Sequence, residues 1–270
     1  MLSTAGISTS NSFPWTLNNP KFENDGVINL VMFHGDSLAA GVGYVDKVTE
    51  SGLLEDAATA NRYDNTSEWE PLEPGVNSAH LTGSLGRFGP ETPFAAYYYQ
   101  QFGRPLYLTK FAAGGYTVEE TSNASFHPDA VLGTPLYGTM LGIIQGAINL
   151  LGAAPYRLHL VISFGGNDAV TGPTAIANFQ DNLNTLISRL EIDASIAFDQ
   201  VLLLKLSDKI ISTQANAATI RAASDAWEAE ESRRFTVDGR HASFAHDGAH
   251  YDAFGYELIC KEMFTKLFFI

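Results

Sequence analysis

Five short apolar runs, separated by segments that fit helices, are the feature that most limits how this chain can fold. The runs cover residues 27–33, 105–111, 157–164, 200–206 and 234–237. Helices are predicted over residues 91–102, 136–152, 172–190 and 212–232, with a last amphipathic helix over 252–268. Strands that alternate with helices form a parallel sheet with helices on both faces. The pattern therefore predicts an α/β fold, a three-layer αβα sandwich around a five-stranded parallel sheet.

Two segments do not follow this alternation. Residues 1–26 are rich in Ser, Thr, Asn and Pro, and we expect them to form an arm on the surface. Residues 44–90 are acidic, contain several Pro and Gly residues and show no clear strand. We expect an irregular insertion there, with room for one short helix, that lies near the active site and forms one wall of its pocket. No repeat or linker divides the chain, so 1–270 is expected to be a single domain.

The charge and the apolar content limit the classes of partner. A formal net charge of −14 repels phosphate backbones, so nucleic acid is not expected as a partner. No run approaches the roughly 18 to 20 apolar residues that would span a membrane. Residues 1–15 lack a basic segment followed by an apolar one, so no secretory signal is visible. A cytoplasmic location and export after removal of a leader both stay open, and the oligomeric state is not indicated.

Polar motifs follow three of the predicted strands, and a fourth precedes the last helix. They are GDS at 35–37, GG at 114–115, GGND at 165–168 and DGAH at 247–250. In an open parallel sheet, ligands bind beyond the carboxyl ends of the strands. The three strand-end motifs are therefore expected to meet at one edge of the sheet.

The residue types in these motifs fit acyl transfer by a serine. Ser37 is the candidate nucleophile and needs a base within hydrogen-bond reach, which His250 can supply. Asp247, three residues before that histidine, can accept its Nδ1–H, fix the tautomer and stabilise the imidazolium. The sequence thus predicts a catalytic triad of Ser37, His250 and Asp247.

An oxyanion hole can be built from the remaining motifs. Asn167 carries an uncharged NH₂ that can donate to a developing oxyanion. The backbone N–H groups of Ser37 and Gly115 are candidates for the other donors, because glycine lets a substrate oxygen approach the backbone closely. Gly114 is the alternative to Gly115.

Each motif has a plainer interpretation when it is taken alone. A GDS tripeptide is a common turn, a GGND segment is a loop after a strand, and Asp247 could simply cap a helix. The presence of the whole set, in order and at the strand ends, favours catalysis. His241, His246, His250 and Asp247 match no common zinc spacing, so neither a metal nor another cofactor is expected.

The motifs together resemble the blocks of the SGNH, or GDSL, hydrolases. The matching segments are GDSL at 35–38, AGGYT at 113–117, GGND at 165–168 and DGAH at 247–250. With the flanking strand and terminal helix, the resemblance extends over residues 28–268. It implies a flavodoxin-like sheet and metal-free ester hydrolysis through an acyl-enzyme on Ser37.

A narrower resemblance concerns the substrate. Residues 69–77 and 86–115 are similar to the carbohydrate acetylesterases related to sialate O-acetylesterases. Those enzymes usually carry Gly-Gln-Ser-Asn at the nucleophile, whereas this chain has Gly-Asp-Ser-Leu at 35–38. The resemblance implies removal of a short acyl group, expected to be acetyl, from a small or polymeric carbohydrate. Trp69 and Tyr63 are then the candidates for stacking on the sugar.

Two other functions are compatible with the same residues. One is a general short-chain carboxylesterase. Its preference among simple esters of different acyl length would identify such an enzyme. The other is a carbohydrate-binding or structural module on a decayed hydrolase fold. The second alternative is less favoured, because a decayed enzyme would be expected to lose at least one catalytic residue and this chain retains them all.

Overall fold

The structure of the chain is a computed structural model that describes residues 26–64, 67–78, 85–133, 135–210 and 213–270. The arm predicted at 1–26 lies outside the described residues except for Gly26. A seven-stranded sheet runs through the described part in the order β4-β3-β6-β1-β7-β8-β9. Its strands are β1 (Ile28–Gly35), β3 (Asn61–Tyr63), β4 (Glu70–Pro71), β6 (Tyr107–Ala112), β7 (Tyr156–Ser163), β8 (Gln200–Lys205) and β9 (Arg234–Asp238). A separate antiparallel pair consists of β2 (Gly43–Tyr44) and β5 (Arg87–Phe88).

The five strands predicted from the apolar runs are all present as β1, β6, β7, β8 and β9. They lie parallel to one another. Strand β6 lies on one side of β1, and β7, β8 and β9 follow in that order on the other side. This order is the flavodoxin-like arrangement. The predicted α/β fold is therefore confirmed, and two further strands extend the sheet at one edge.

Helices cover the sheet as two packed groups. They are α1 (Ser37–Ala40), α2 (Leu53–Ala57), α3 (Glu91–Phe102), α4 (Tyr137–Leu151), α5 (Gly166–Thr171), α6 (Pro173–Ala177), α7 (Phe179–Ala194), α8 (Gln214–Glu230) and α9 (Ala253–Phe269). In one group α3 packs against α2 and α9; in the other α7 packs against α4 and α8. None of the helices in the described ranges combines the length and apolar character that a membrane crossing needs.

The helix predicted over 172–190 is two helices in the structure. Helix α6 ends where Asn178 N–H donates to Thr174 O at 3.0 Å, and α7 starts where Asn178 O accepts from Asn182 N–H at 2.8 Å. The backbone of Asn178 has φ −93° and ψ 0°, outside the values of a regular α-helix. A single residue thus breaks a segment whose apolar spacing continues across the break.

The insertion at 44–90 is more regular than its sequence indicates. It contains α2 and the strands β3, β4 and β5, so the expectation of an irregular segment without strands was wrong. Strand β3 pairs with β6 in parallel, with Asn61 opposite Tyr107, and Asn61 N–H donates to Leu106 O at 2.8 Å. Because β3 is only three residues long and has no apolar run, hydrophobic patterning does not reveal it.

Strand β1 forms the centre of the sheet and sets the level of the strand ends. Its residues 30–33 are fully buried, as both faces of a central parallel strand should be. Gly35, its last residue, lies opposite Ala112 of β6 and Ser163 of β7. The loops that leave these three strands therefore start side by side.

A buried ion pair joins the segment after β1 to the insertion and to α3. The ammonium of Lys110 lies 2.7 Å from a carboxylate oxygen of Glu91, and both side chains are almost completely buried. Lys110 Nζ also donates to Ala40 O at 2.7 Å and to Ser78 O at 2.6 Å. Burial lowers the pKa of Lys110, and the charge of Glu91 opposes that shift. The pair thus fixes the end of α1.

Replacing Lys110 by Met is expected to destabilise the protein by about 3 to 5 kcal/mol, because it leaves the Glu91 carboxylate buried without a counter-charge. The free energy of unfolding from urea titration measures the change. Arg189→Met is the matched control, because it removes a cation from an exposed ion pair with Asp129 and should change stability little. Equal effects of the two substitutions would contradict the role given to Lys110.

Candidate active site

The turn after β1 depends on a close approach between two strands. Gly35 has φ +138°, and a Cβ atom placed on it would lie 2.2 Å from Ser163 O. Asp36 N–H donates to the same carbonyl at 2.9 Å. A side chain at position 35 would separate β1 from β7, so glycine is required there.

Ser37 is the first residue of α1, a helix of a single turn, and its side chain is half-buried. Asp36 caps this turn, because its Oδ1 accepts the N–H of Leu38 at 2.9 Å. At the other side of the turn, the hydroxyl of Tyr256 donates to Leu38 O at 3.0 Å. The candidate nucleophile is thus held by its own cap and by a residue of α9.

His250 and Asp247 form the predicted pair. Nδ1 of His250 lies 2.8 Å from Oδ2 of Asp247. The other oxygen, Oδ1, accepts the N–H groups of Ala249 at 3.0 Å and of His250 at 3.1 Å. Burial acts to raise the pKa of Asp247, but these hydrogen bonds outweigh it and lower the pKa to about 2. Asp247 is therefore ionised at neutral pH and can hold the Nδ1–H tautomer.

The loop that carries His250 is tied to the nucleophile turn. Ala245 N–H donates to His250 O at 2.7 Å, which closes the loop before α9 begins. Tyr256, in the first turn of α9, provides the hydrogen bond to α1. Among the described residues, Ser37 Oγ makes no hydrogen bond to His250, and direct contact between nucleophile and base stays a prediction. Such contacts are often long in unliganded enzymes.

The candidate oxyanion donors lie on two neighbouring loops. Asn167 is in the first turn of α5, and its Nδ2 donates one hydrogen to Tyr116 O at 3.0 Å. The second hydrogen on that nitrogen can serve another acceptor. Gly115, one residue earlier in the facing loop, has φ +86°, and no atom lies within 4 Å of the position a Cβ would take. The glycine loop is thus exposed and bonded to the side chain of Asn167.

Asp168 joins the same two loops from beneath, a role that sequence reasoning missed. Its Oδ1 accepts Val118 N–H at 3.0 Å, and its Oδ2 accepts Gly165 N–H at 3.1 Å. The side chain is fully buried, and burial raises its pKa to about 7 against the effect of these hydrogen bonds. The GGND motif contains this residue, but spacing alone does not distinguish a turn aspartate from a carboxylate that joins two loops.

Asp36 is a second buried carboxylate in the floor of the site. Burial raises its pKa to about 6, against hydrogen bonds from Leu38 N–H and from Ser163 Oγ, the latter at 3.1 Å. Its charge in turn raises the pKa of Asp168. The site thus contains one partly exposed carboxylate, Asp247, and two that are withdrawn from water.

The two aromatic residues predicted to bind sugar lie together in a cluster. Their ring centroids are 5.8 Å apart, and Trp69 also packs edge-on against Tyr107 at 4.9 Å. Tyr63 is only 5% exposed and packs against Gly146 of α4, which leaves it too little free surface to stack on a sugar. The structure gives Tyr63 a packing role. Trp69 is half-buried, and its contact with substrate stays a prediction.

Three histidines lie near the chain end, in the segment before α9. His241 and His246 are exposed, whereas His250 is half-buried beside Asp247. Within the described ranges, no three His, Cys, Asp or Glu side chains are arranged so that they could hold a metal ion. A site without metal or cofactor stays the expectation.

The sequence profile of one protein family matches residues 27–268. That family is described as carbohydrate esterase, sialic acid-specific acetylesterase. The match covers β1 through α9 and includes every residue of the candidate site. No curated protein matches the sequence.

Several solved structures share the fold. A protein from Arabidopsis thaliana superposes with a TM-score of 0.71 at 16% identity, with 89% of this chain and 98% of that chain covered. The protein named NanS gives 0.62 at 12% identity, with 90% and 96% covered. A carbohydrate acetylesterase from Xanthomonas citri gives 0.58 at 12% identity, with 88% and 54% covered. At these identities the likeness concerns the fold alone.

Asp168→Asn is expected to flatten the pH dependence of stability between about pH 4 and 7. The folded pKa of Asp168 is about 7 and the ordinary value is 3.8, so in this window the folded state binds more protons than the unfolded state. The free energy of unfolding of the unaltered protein therefore contains a part that falls as pH rises. Asn does not titrate and lacks that part. Urea unfolding at several pH values in this range gives the free energy of unfolding of both proteins. The free energy of the unaltered protein minus that of the variant should decrease as pH rises. A difference that does not change with pH would contradict the raised pKa of Asp168.

Proposed function

Because this chain belongs to the carbohydrate esterase family of sialic acid-specific acetylesterases, within the SGNH hydrolase superfamily, we propose that it deacetylates a carbohydrate through an acetyl-enzyme on Ser37. The chain is a carboxylic ester hydrolase. The observation that carries the proposed mechanism is the 2.8 Å contact between His250 Nδ1 and Asp247 Oδ2, on a loop that Tyr256 joins to the nucleophile helix.

In the first half of the proposed reaction, Ser37 Oγ attacks the acetyl carbonyl while Nε2 of His250 takes its proton. Asp247 accepts the Nδ1–H and stabilises the imidazolium that forms. The oxyanion receives hydrogen bonds from the backbone N–H groups of Ser37 and Gly115 and from the side chain of Asn167. When the tetrahedral intermediate collapses, the C–O bond to the sugar breaks, and the sugar oxygen takes the proton from His250.

In the second half, water replaces the sugar. His250 removes a proton from the water, whose oxygen attacks the acetyl-Ser37 carbonyl. The same three donors stabilise the second oxyanion. Collapse of this intermediate releases acetate and returns the proton to Ser37 Oγ.

A general short-chain carboxylesterase is the second candidate function. It is favoured by the GDSL sequence at 35–38, which differs from the Gly-Gln-Ser-Asn usual in the carbohydrate acetylesterases. Acetate release from O-acetylated sugars and polysaccharides, compared with rates on 4-nitrophenyl esters of increasing acyl length, separates the two candidates. Faster turnover of longer acyl chains than of any acetylated sugar would favour the carboxylesterase.

Ser37→Ala is expected to lower kcat by about 10⁶-fold, as loss of the serine does in other triads, with the fold unchanged. Acetate release measures activity, and circular dichroism checks the fold. Ser232→Ala is the matched control, because Ser232 is exposed and lies before β9, at the amino ends of the strands. Turnover near the unaltered level in the Ser37 variant would exclude the proposed nucleophile.

Asn167→Ala is expected to lower kcat by about 10²–10³-fold and to change KM much less, because a donor to the oxyanion acts mainly in the transition state. Steady-state kinetics on 4-nitrophenyl acetate gives both constants. Asn216→Ala serves as the control. The amide of Asn216, like that of Asn167, donates to a backbone carbonyl, in this case Ala169 O of α5, but it has no place in the proposed oxyanion hole. An effect on KM alone would assign Asn167 to substrate binding.

A further inference from the structure

A cavity borders the candidate triad on the side of Asp247. Its volume is about 420 Å³, and its lining includes Val42, Tyr44, Lys47, Arg87, Asp247 and Asp252. Cavities of roughly 300 to 1,000 Å³ are typical binding sites for small molecules. Asp247 lines the cavity and holds His250, so a molecule in this cavity lies beside one member of the candidate triad.

The wall opposite Asp247 is formed by both ends of the insertion. Tyr44 of β2 pairs with Arg87 of β5, so the segment leaves and rejoins the main fold at this cavity. The guanidinium of Arg87 lies 5.0 Å from the centroid of the Tyr44 ring, and its Nη2 donates to the Tyr44 hydroxyl at 2.7 Å. Tyr44 is nevertheless 45% exposed. An aromatic ring that is fixed in orientation and open to solvent is suited to contact with the face of a sugar.

The polar groups of the lining include both donors and acceptors. Lys47 and Arg87 contribute donors, and Lys47 is an exposed side chain 2.9 Å from Asp46. Asp252, the cap of α9, accepts Gly255 N–H at 2.7 Å and retains further lone pairs. Each hydroxyl group of a sugar can donate one hydrogen bond and accept others. A lining that contains both donors and acceptors can therefore bind neighbouring hydroxyl groups.

We propose that this cavity binds the sugar part of the ester, with the exposed side of the Tyr44 ring against the sugar and with Lys47 and Arg87 donating to its hydroxyl groups. The proposal rests on the esterase function proposed above and names the residues that recognise the leaving group. Tyr44 then takes the role that the sequence suggested for Tyr63.

The test is the ratio of kcat/KM on O-acetylated sialic acid to kcat/KM on 4-nitrophenyl acetate. Tyr44→Ala is expected to lower this ratio about tenfold, because the aryl ester has no sugar to contact the ring. Lys47→Gln should lower the ratio by a smaller factor, and its exposed position means that folding is not at risk. Phe254→Ala is the matched control, since this aromatic side chain is 47% exposed and follows Ala253, yet does not line the cavity.

A binding measurement separates this proposal from the proposed mechanism. In the Ser37→Ala background, calorimetric titration with sialic acid should give a dissociation constant that increases about tenfold when Tyr44→Ala is added. Activity retained by Ser37→Ala would overturn the mechanism without bearing on the cavity. The sugar site would be overturned if Tyr44→Ala and Lys47→Gln changed the kcat/KM ratio and the dissociation constant no more than Phe254→Ala does.

Discussion

The parallel pairing of β1 with β6 on one side and with β7 on the other is the constraint on which the candidate site depends. The register places Gly35 opposite both Ala112 and Ser163, so the three loops that carry Ser37, the glycine pair and Asn167 start at one level. A slip of one residue in either pairing would move one of these loops along the sheet by a strand step of roughly 3.3 Å. The site is therefore specified by the same apolar residues that specify the sheet.

Hydrogen bonds from distant side chains then fix loops that have little regular structure. Tyr256 donates to the turn of Ser37, Asn167 donates to Tyr116 O, and Asp168 accepts an N–H from each of two loops. Backbone groups near a site need partners, and here side chains supply them. Because all of these bonds except the one from Gly165 N–H join segments at least 50 residues apart in sequence, the geometry of the site requires the complete fold. Such support is what holds catalytic groups within a fraction of an ångström of a productive arrangement.

The features that the sequence predicted are those with a local signature. The apolar runs located five strands, and the set of motifs located the pair of Asp247 and His250. Strand β3 was not predicted because its three residues contain no apolar run, and the helix break at Asn178 was not predicted because apolar spacing continues across it. The roles of Asp168 and Tyr63 depend on which segments meet in space. Burial of Tyr63 against Gly146 cannot be inferred from its position in an acidic, proline-containing segment.

Asp36, the buried carboxylate beside Ser37, is one of the two residues at which the GDSL motif differs from the Gly-Gln-Ser-Asn usual in carbohydrate acetylesterases. Where the carbohydrate acetylesterases usually carry Gln, this chain has Asp36, whose pKa burial raises to about 6. With a pKa of about 6, Asp36 is still mostly ionised at neutral pH, so the exchange places a negative charge in the turn. In return, Asp is one of the best N-cap residues, and Asp36 accepts Leu38 N–H at 2.9 Å. The departure gives the turn that presents Ser37 a side-chain cap, which is compatible with the same acyl-transfer chemistry.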